Sequence, residues 1–115
     1  MLKKISRLTK DKEFEKVFKQ GKSAHNNLFS IKTLTNNLLY NRFGIIVSLK
    51  VHKKATERNK AKRRIREALK VFDKKIKASQ DIVVVCRPNL VNADYEQIKR
   101  FLNLTLKRLK LINDN

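Results

Sequence analysis

Val47-Ser48-Leu49-Lys50-Val51-His52-Lys53-Lys54-Ala55-Thr56-Glu57-Arg58-Asn59-Lys60-Ala61-Lys62-Arg63-Arg64-Ile65-Arg66-Glu67-Ala68 changes from the period of a strand to that of a helix across one short basic loop. On its N-terminal side, Phe43 to Leu49 alternates, with Phe43, Ile45, Val47 and Leu49 on one face. On its C-terminal side, Thr56 is the predicted N-cap of a helix that reaches about Lys77. The apolar residues of that helix are Ala61, Ile65, Ala68, Leu69, Phe72 and Ile76. At about 100° per residue they fall within a sector of roughly 100°, the stripe of a helix packed on a sheet.

Toward the N-terminus, Leu28 to Thr35 also alternates. Phe29, Ile31 and Thr33 take one face, while Leu28, Ser30, Lys32 and Leu34 take the other, so one face is core and one partly wet. Asn36-Asn37 opens a turn or loop lasting to about Asn41. Lys22 to His25 adds a short strand. A first helix is predicted from near Lys10 to Gln20, with Thr9 as N-cap and Asp11 and Glu13 at the positive end of its dipole. Phe14, Val17 and Phe18 share one face of it. Gly21 stops it in the usual C-terminal glycine role.

Toward the C-terminus, Ile82 to Cys86 is apolar throughout, the mark of a short central strand buried on both faces. Arg87-Pro88 ends it. Asp94 with Gln97 resembles a capping box that opens a last helix, with Ile98, Phe101, Leu102, Thr105 and Leu109 inside. The order is α, two or three strands, α, strand, α. This is an α+β sandwich of helices on a small mixed sheet, read as one domain over residues 1–115.

Charge sets the function class. Lys and Arg number 29 against 10 Asp and Glu, a formal net charge of +19, while 41% of residues are apolar. That is enough apolar matter for one core, and far more charge than the roughly 2–8 that solubility asks of a small domain. Such a surface calls for a polyanion, nucleic acid first and an acidic membrane second. The apolar runs are too short to span a bilayer, and Met1-Leu2-Lys3-Lys4-Ile5-Ser6-Arg7 lacks the apolar region of a signal peptide. Cys86 is the one cysteine, so no intrachain disulfide forms, and its apolar setting suits a small buried hydrophobe. These features point to the cytoplasm and away from membranes.

Catalytic sets are absent from the sequence. His25 and His52 are the only histidines. No metal-ligand spacing, Gly-rich phosphate loop or small-molecule motif occurs. Each His reads as an RNA contact or a surface residue before a general base. Any reactive centre is therefore expected in a partner.

Between Lys50 and Lys77 stand thirteen Lys or Arg residues and three acids. Arg58, Lys62 and Arg66, at i, i+4 and i+8, form a stripe along one flank of the apolar sector, whereas Lys60, Arg63 and Arg64 face outward. The plain alternative is a solvated helix face with a few salt bridges. Three acids leave most of these cations without a local partner, which favours polyanion binding. Phe14 and Phe18 have two readings, core packing or a stacking platform for unpaired bases with Ser30 and Lys32 as the other wall. Sequence leaves both open.

The segment quoted above, with its V-S-x-K strand end and R-N-K-A-K-R-R-I-R helix, closely resembles the signature of bacterial ribonuclease P proteins. Arg7-Leu8, Phe14, Val17, Phe18 and Gly21 are similar to the family's opening helix. Ile82-Val83-Val84, Arg87-Pro88 and Tyr95 match its later pieces in order. The resemblance implies the order αβββαβα on a four-stranded mixed sheet, similar to the ribosomal S5 second domain, with the basic helix in a left-handed crossover. It implies that the chain serves ribonuclease P, which removes the 5′ leader of precursor tRNA. The catalysis is then performed by an RNA subunit that holds most of the Mg²⁺. By position, Lys53, Lys54, Arg58, Asn59, Lys60, Arg63 and Arg64 would face that RNA. Phe14, Phe18, Ser30, Lys32, Lys62 and Arg66 would line the cleft for the single-stranded leader. Two departures stand out. Lys60 replaces the motif's second Arg, and Lys32 replaces an aromatic residue often found in the cleft, with Ser30 nearby in place of an apolar one.

A purely structural, ribosomal-type RNA-binding protein fits the composition equally well. The basic motif on one helix separates the two in favour of the ribonuclease P subunit. A DNA-binding helix-turn-helix protein expects two helices about a tight turn, whereas a strand precedes the basic helix here.

Overall fold

The structure, a computed structural model, describes residues 6–113. Its strands are Ser6–Arg7 (β1), Lys22–His25 (β2), Phe29–Thr35 (β3), Arg42–Ile46 (β4) and Gln80–Cys86 (β5). Its helices are Asp11–Gln20 (α1), Ala55–Phe72 (α2) and Tyr95–Arg108 (α3), with 3-10 turns at Asp73–Lys75 and Pro88–Asn92.

The apolar run predicted to lie centrally does so. The sheet order is β1-β4-β5-β3-β2, with β5 parallel to β4 and antiparallel to β3. Ile82, Val83 and Val84 are fully buried. Ile82, Val84 and Cys86 join the main core with Phe29, Ile31, Ile65, Leu69, Ile98 and Leu102, where α2 and α3 cover one face of the sheet. Val83 meets Leu8 and Val17 of the smaller core under α1 on the opposite face, with Phe14, Ile46 and Val85 packed around it. No described helix is long and apolar enough to cross a membrane.

The α+β class holds, but the sheet has five strands where four are expected. Ser6 and Arg7 add a two-residue parallel strand beside Arg42 and Phe43 of β4. On that outer side no strand among the described residues pairs with Gly44–Ile46. The strand expected to reach Leu49 ends at Ile46, which leaves Leu49 70% exposed. Leu28, expected on the wet face, is buried in the main core. It precedes β3 in a turn where the Asn26 side chain accepts from the backbone N–H of Leu28 and of Phe29.

The caps also differ from expectation. Lys10, not Thr9, is the N-cap of α1, because the Glu13 carboxylate reaches back to the N–H of Lys10 at 3.0 Å. Lys54, not Thr56, caps α2, and its N–H donates to His52 Nδ1 at 3.0 Å. Helix α2 stops at Phe72, short of Lys77, and the following 3-10 turn still delivers Ile76 into the core. The predicted Asp94–Gln97 capping box is present in both directions.

Gly21 ends α1 for a different reason than expected. Its φ is −78°, so no left-handed turn is involved. A Cβ there would lie 2.5 Å from the carbonyl oxygen of Val17 and 2.7 Å from that of Thr33. Only glycine lets the end of α1 sit directly on β3.

Candidate nucleic-acid interface

Helix α1 crosses the sheet obliquely, and its aromatic residues land in different places. Phe14 lies over β4, where its ring occupies the space a side chain at Gly44 would take. Val17 is fully buried over the centre. Phe18 is 40% exposed, and the Lys32 ammonium of β3 sits 5.5 Å from its ring centroid. The sequence left core and platform open for this pair. Val17 is the buried core residue of this face, Phe14 packs half-buried against the same small core, and Phe18 is the exposed ring.

That surface has a floor set by strand register. Ile46 pairs with Val85, Val85 with Ser30, and Ser30 with His25. These four form one row across β4, β5, β3 and β2 on the α1 side, and none is buried. Ser30 Oγ and His25 Nδ1 are 3.0 Å apart. On β4, before Ile46, lies a concavity of about 280 Å³ lined by Phe14, Gly44, Ile45, Lys62 and Arg66, with Arg7 also lining it. Of the cation stripe of α2, Lys62 and Arg66 line this concavity and Arg58 does not. Phe18, Ser30 and Lys32 lie at the other end of the row and do not line the concavity. Aromatic rings, partly exposed sheet residues and cations are thus gathered beside α1, the combination that suits an unpaired strand.

The remaining residues expected to face the RNA divide into free and engaged. Lys53, Lys54, Asn59, Lys60 and Arg63 are exposed on the loop and the outward side of α2. Arg58 is engaged, since its Nη1 donates to the carbonyls of His52 (2.9 Å) and Lys53 (2.7 Å), tying the loop to the helix. Arg64 donates to the carbonyl of Ala93 at 3.1 Å and so anchors the turn before α3. Each keeps its charge and part of its donor fork.

Residues 2–110 match the family model described as Ribonuclease P. The chain belongs to the ribonuclease P protein family. It is 41% identical over 102 residues to the ribonuclease P protein component of Clostridioides difficile, covering 88% of this chain and 89% of that one. It is 37% identical over 108 residues to that of Alkaliphilus metalliredigens, covering 94% and 96%. The RNase P protein structure from Staphylococcus aureus superposes with a TM-score of 0.85 at 36% identity, covering 96% of this chain and all of that one. The one from Thermotoga maritima gives 0.78 at 36%, covering 89% and 96%.

A ribonuclease P component brings Mg²⁺ into question. Among the described residues no three His, Cys, Asp or Glu groups gather. The Glu13 and Asp81 carboxylates flank Arg42, which forms an ion pair with each, at 2.7 Å to Asp81. The backbone N–H of Lys10 holds the Glu13 carboxyl below its usual range, and Arg42 adds to this. The bidentate contact from Asp81 raises Arg42 further, so its charge is fixed. Cys86 is equally out of play, with burial pushing its thiol up to about 12.

Sequence reading missed His25, Ile46 and Val85 as floor residues. The signal was present as alternation, since Ile46 and Val85 sit out of phase with the main-core positions of their strands. Only the cross-strand register puts them in one row.

Proposed function

We propose that this chain serves ribonuclease P by holding two RNAs at once. The loop at Lys53 and Lys54 and the outward side of α2, with Arg58, Asn59, Lys60, Arg63 and Arg64, bind the ribonuclease P RNA. The groove beside α1 binds the single-stranded 5′ leader of precursor tRNA, which the enzyme removes by endonucleolytic cleavage. The observation that carries this reading is the row Ile46-Val85-Ser30-His25 beside α1, together with Phe14, Lys62 and Arg66 around the neighbouring concavity and Phe18 under the Lys32 ammonium. Hydrolysis then falls to the RNA subunit and its Mg²⁺.

Lys32 gives the groove its own character. Where an aromatic residue is usual, an ammonium stands over Phe18. Leader binding here leans more on charge and less on stacking than in an aromatic-lined relative, so its salt dependence is steeper. Equal slopes for the two proteins would refute that point.

The decisive experiment is cleavage of a precursor tRNA by its cognate ribonuclease P RNA at low Mg²⁺, with and without this protein. Restored cleavage is the expected result. RNA binding with no effect on cleavage would leave only a structural RNA-binding role.

A further inference from the structure

Away from the groove, three chain segments meet at the β2 side of the sheet. The turn after α1 brings Lys22, the stretch after α2 brings Lys77, and the turn after α3 brings Lys110. Lys77 N–H donates to the Leu111 carbonyl at 2.7 Å, so two of the segments are fastened together by main chain. Gly21, pressed against Val17 and Thr33, fixes the third. The three lysines line an open concavity of about 280 Å³, and among the described residues no carboxylate lines it. Among the described residues none of them forms a salt bridge.

The floor is a directed chain of hydrogen bonds. The buried Thr33 hydroxyl donates to Gln80 Oε1 at 2.9 Å, and Gln80 Nε2 points to Thr35 Oγ1 at 3.4 Å. Thr35 accepts in this chain, so its own hydroxyl hydrogen is left to donate. Lys110 adds a second indication. Its φ is 60°, the left-handed region that favours glycine at a helix end. A long cation stands where a bare turn would be less strained, and it lines this concavity.

We infer that this corner binds a phosphate group, through the three ammonium groups and the Thr35 hydroxyl. The concavity is open and larger than a lone phosphate, so it accommodates a ligand that carries that group on something larger. That ligand is either an RNA backbone or a phosphorylated small molecule. This site is separate from the groove and from the outward side of α2, and it stands whether or not the leader reading holds.

The test is a titration of the ¹⁵N-labelled protein with inorganic phosphate, followed by NMR. The backbone amides of Lys22, Thr35 and Leu111 should shift along a saturating curve. The curve should vanish in Lys22→Gln/Lys77→Gln/Lys110→Gln and persist in Lys70→Gln/Lys74→Gln/Lys99→Gln, which loses the same charge elsewhere. Thr35→Val, with no change in charge, should weaken binding several-fold. Drift without saturation, or the same response in both triple variants, overturns the proposal. The source is read from binding to the ribonuclease P RNA. If the ligand is RNA, the corner triple lowers the log-affinity versus log-salt slope by at least about 0.7–0.9 more than the control triple. Equal slopes with phosphate binding intact assign the site to a small phosphorylated ligand.

Discussion

Val17 and Phe18 are neighbours with opposite environments, one fully buried and one 40% exposed. Val17→Ala should lower unfolding free energy by about 1.5–3 kcal/mol in urea titrations, as loss of a buried apolar side chain does. Phe18→Ala should leave that value nearly unchanged and weaken binding of leader-bearing precursor tRNA by about 1–3 kcal/mol, with mature tRNA unaffected. The reverse pattern would mean that Phe18 is a core residue. Sequence could not assign these roles, because residues at i, i+3 and i+4 share a helix face without revealing its centre. The centre is set by where α1 crosses the sheet. That crossing depends on two glycines, Gly21 under the helix end and Gly44 under the Phe14 ring. Both are visible in sequence, but the contacts that require them are not.

Elements are joined at one end of the sheet by Arg42, which links Glu13 of α1 to Asp81 of β5. Asp81 is 6% exposed and also accepts from Asn36 at 2.8 Å. Arg42→Ala should therefore destabilise the protein by about 1–3 kcal/mol, between the values for exposed and fully buried pairs. The pH dependence follows from Glu13, whose carboxyl is held below its ordinary range in the folded state. Its contribution is complete above the unfolded carboxylate pKa and is lost as pH falls through the lower folded value. Thermal unfolding of Glu13→Gln should be less sensitive to acid than that of the parent between about pH 5 and pH 2. Sequence reading took Glu13 as a helix-dipole residue and gave Arg42 and Asp81 no role. Charges so distant in sequence become partners only through the parallel pairing of Arg42 with Asp81. Element existence was far more legible. The stripe of α2, the Asp94 capping box and the β-branched run of β5 each carry a local period or pairing that the fold keeps.

For the whole molecule, the question is which cations are available to a polyanion. Arg63 and Lys60 are exposed and outward, whereas Arg58 and Arg64 hold backbone carbonyls. Lys60→Ala with Arg63→Ala should reduce the salt slope for ribonuclease P RNA by about 0.7–0.9 per residue with little change in stability. Arg58→Ala should weaken RNA binding and also loosen the loop before α2, which hydrogen exchange at Val51 to Lys54 would register. The basic motif was readable because its signal is compositional and lies on one helix. The division between free and structural arginines was not, since it depends on carbonyls as far away as Ala93.

The short reach of β1 has a consequence for how copies of this chain treat one another. Beyond Phe43 the margin of β4 lies open, and an uncovered strand margin is a template on which a like strand can add, chain after chain. Lys62 and Arg66 stand over that margin. They repel another equally cationic copy and admit a polyanion. Replacing both with glutamine should make the protein prone to polymerise, seen as rising light scattering at concentrations where the parent stays monodisperse. The cations beside the groove then serve the protein before any RNA arrives, by keeping this border of the sheet closed to its own kind.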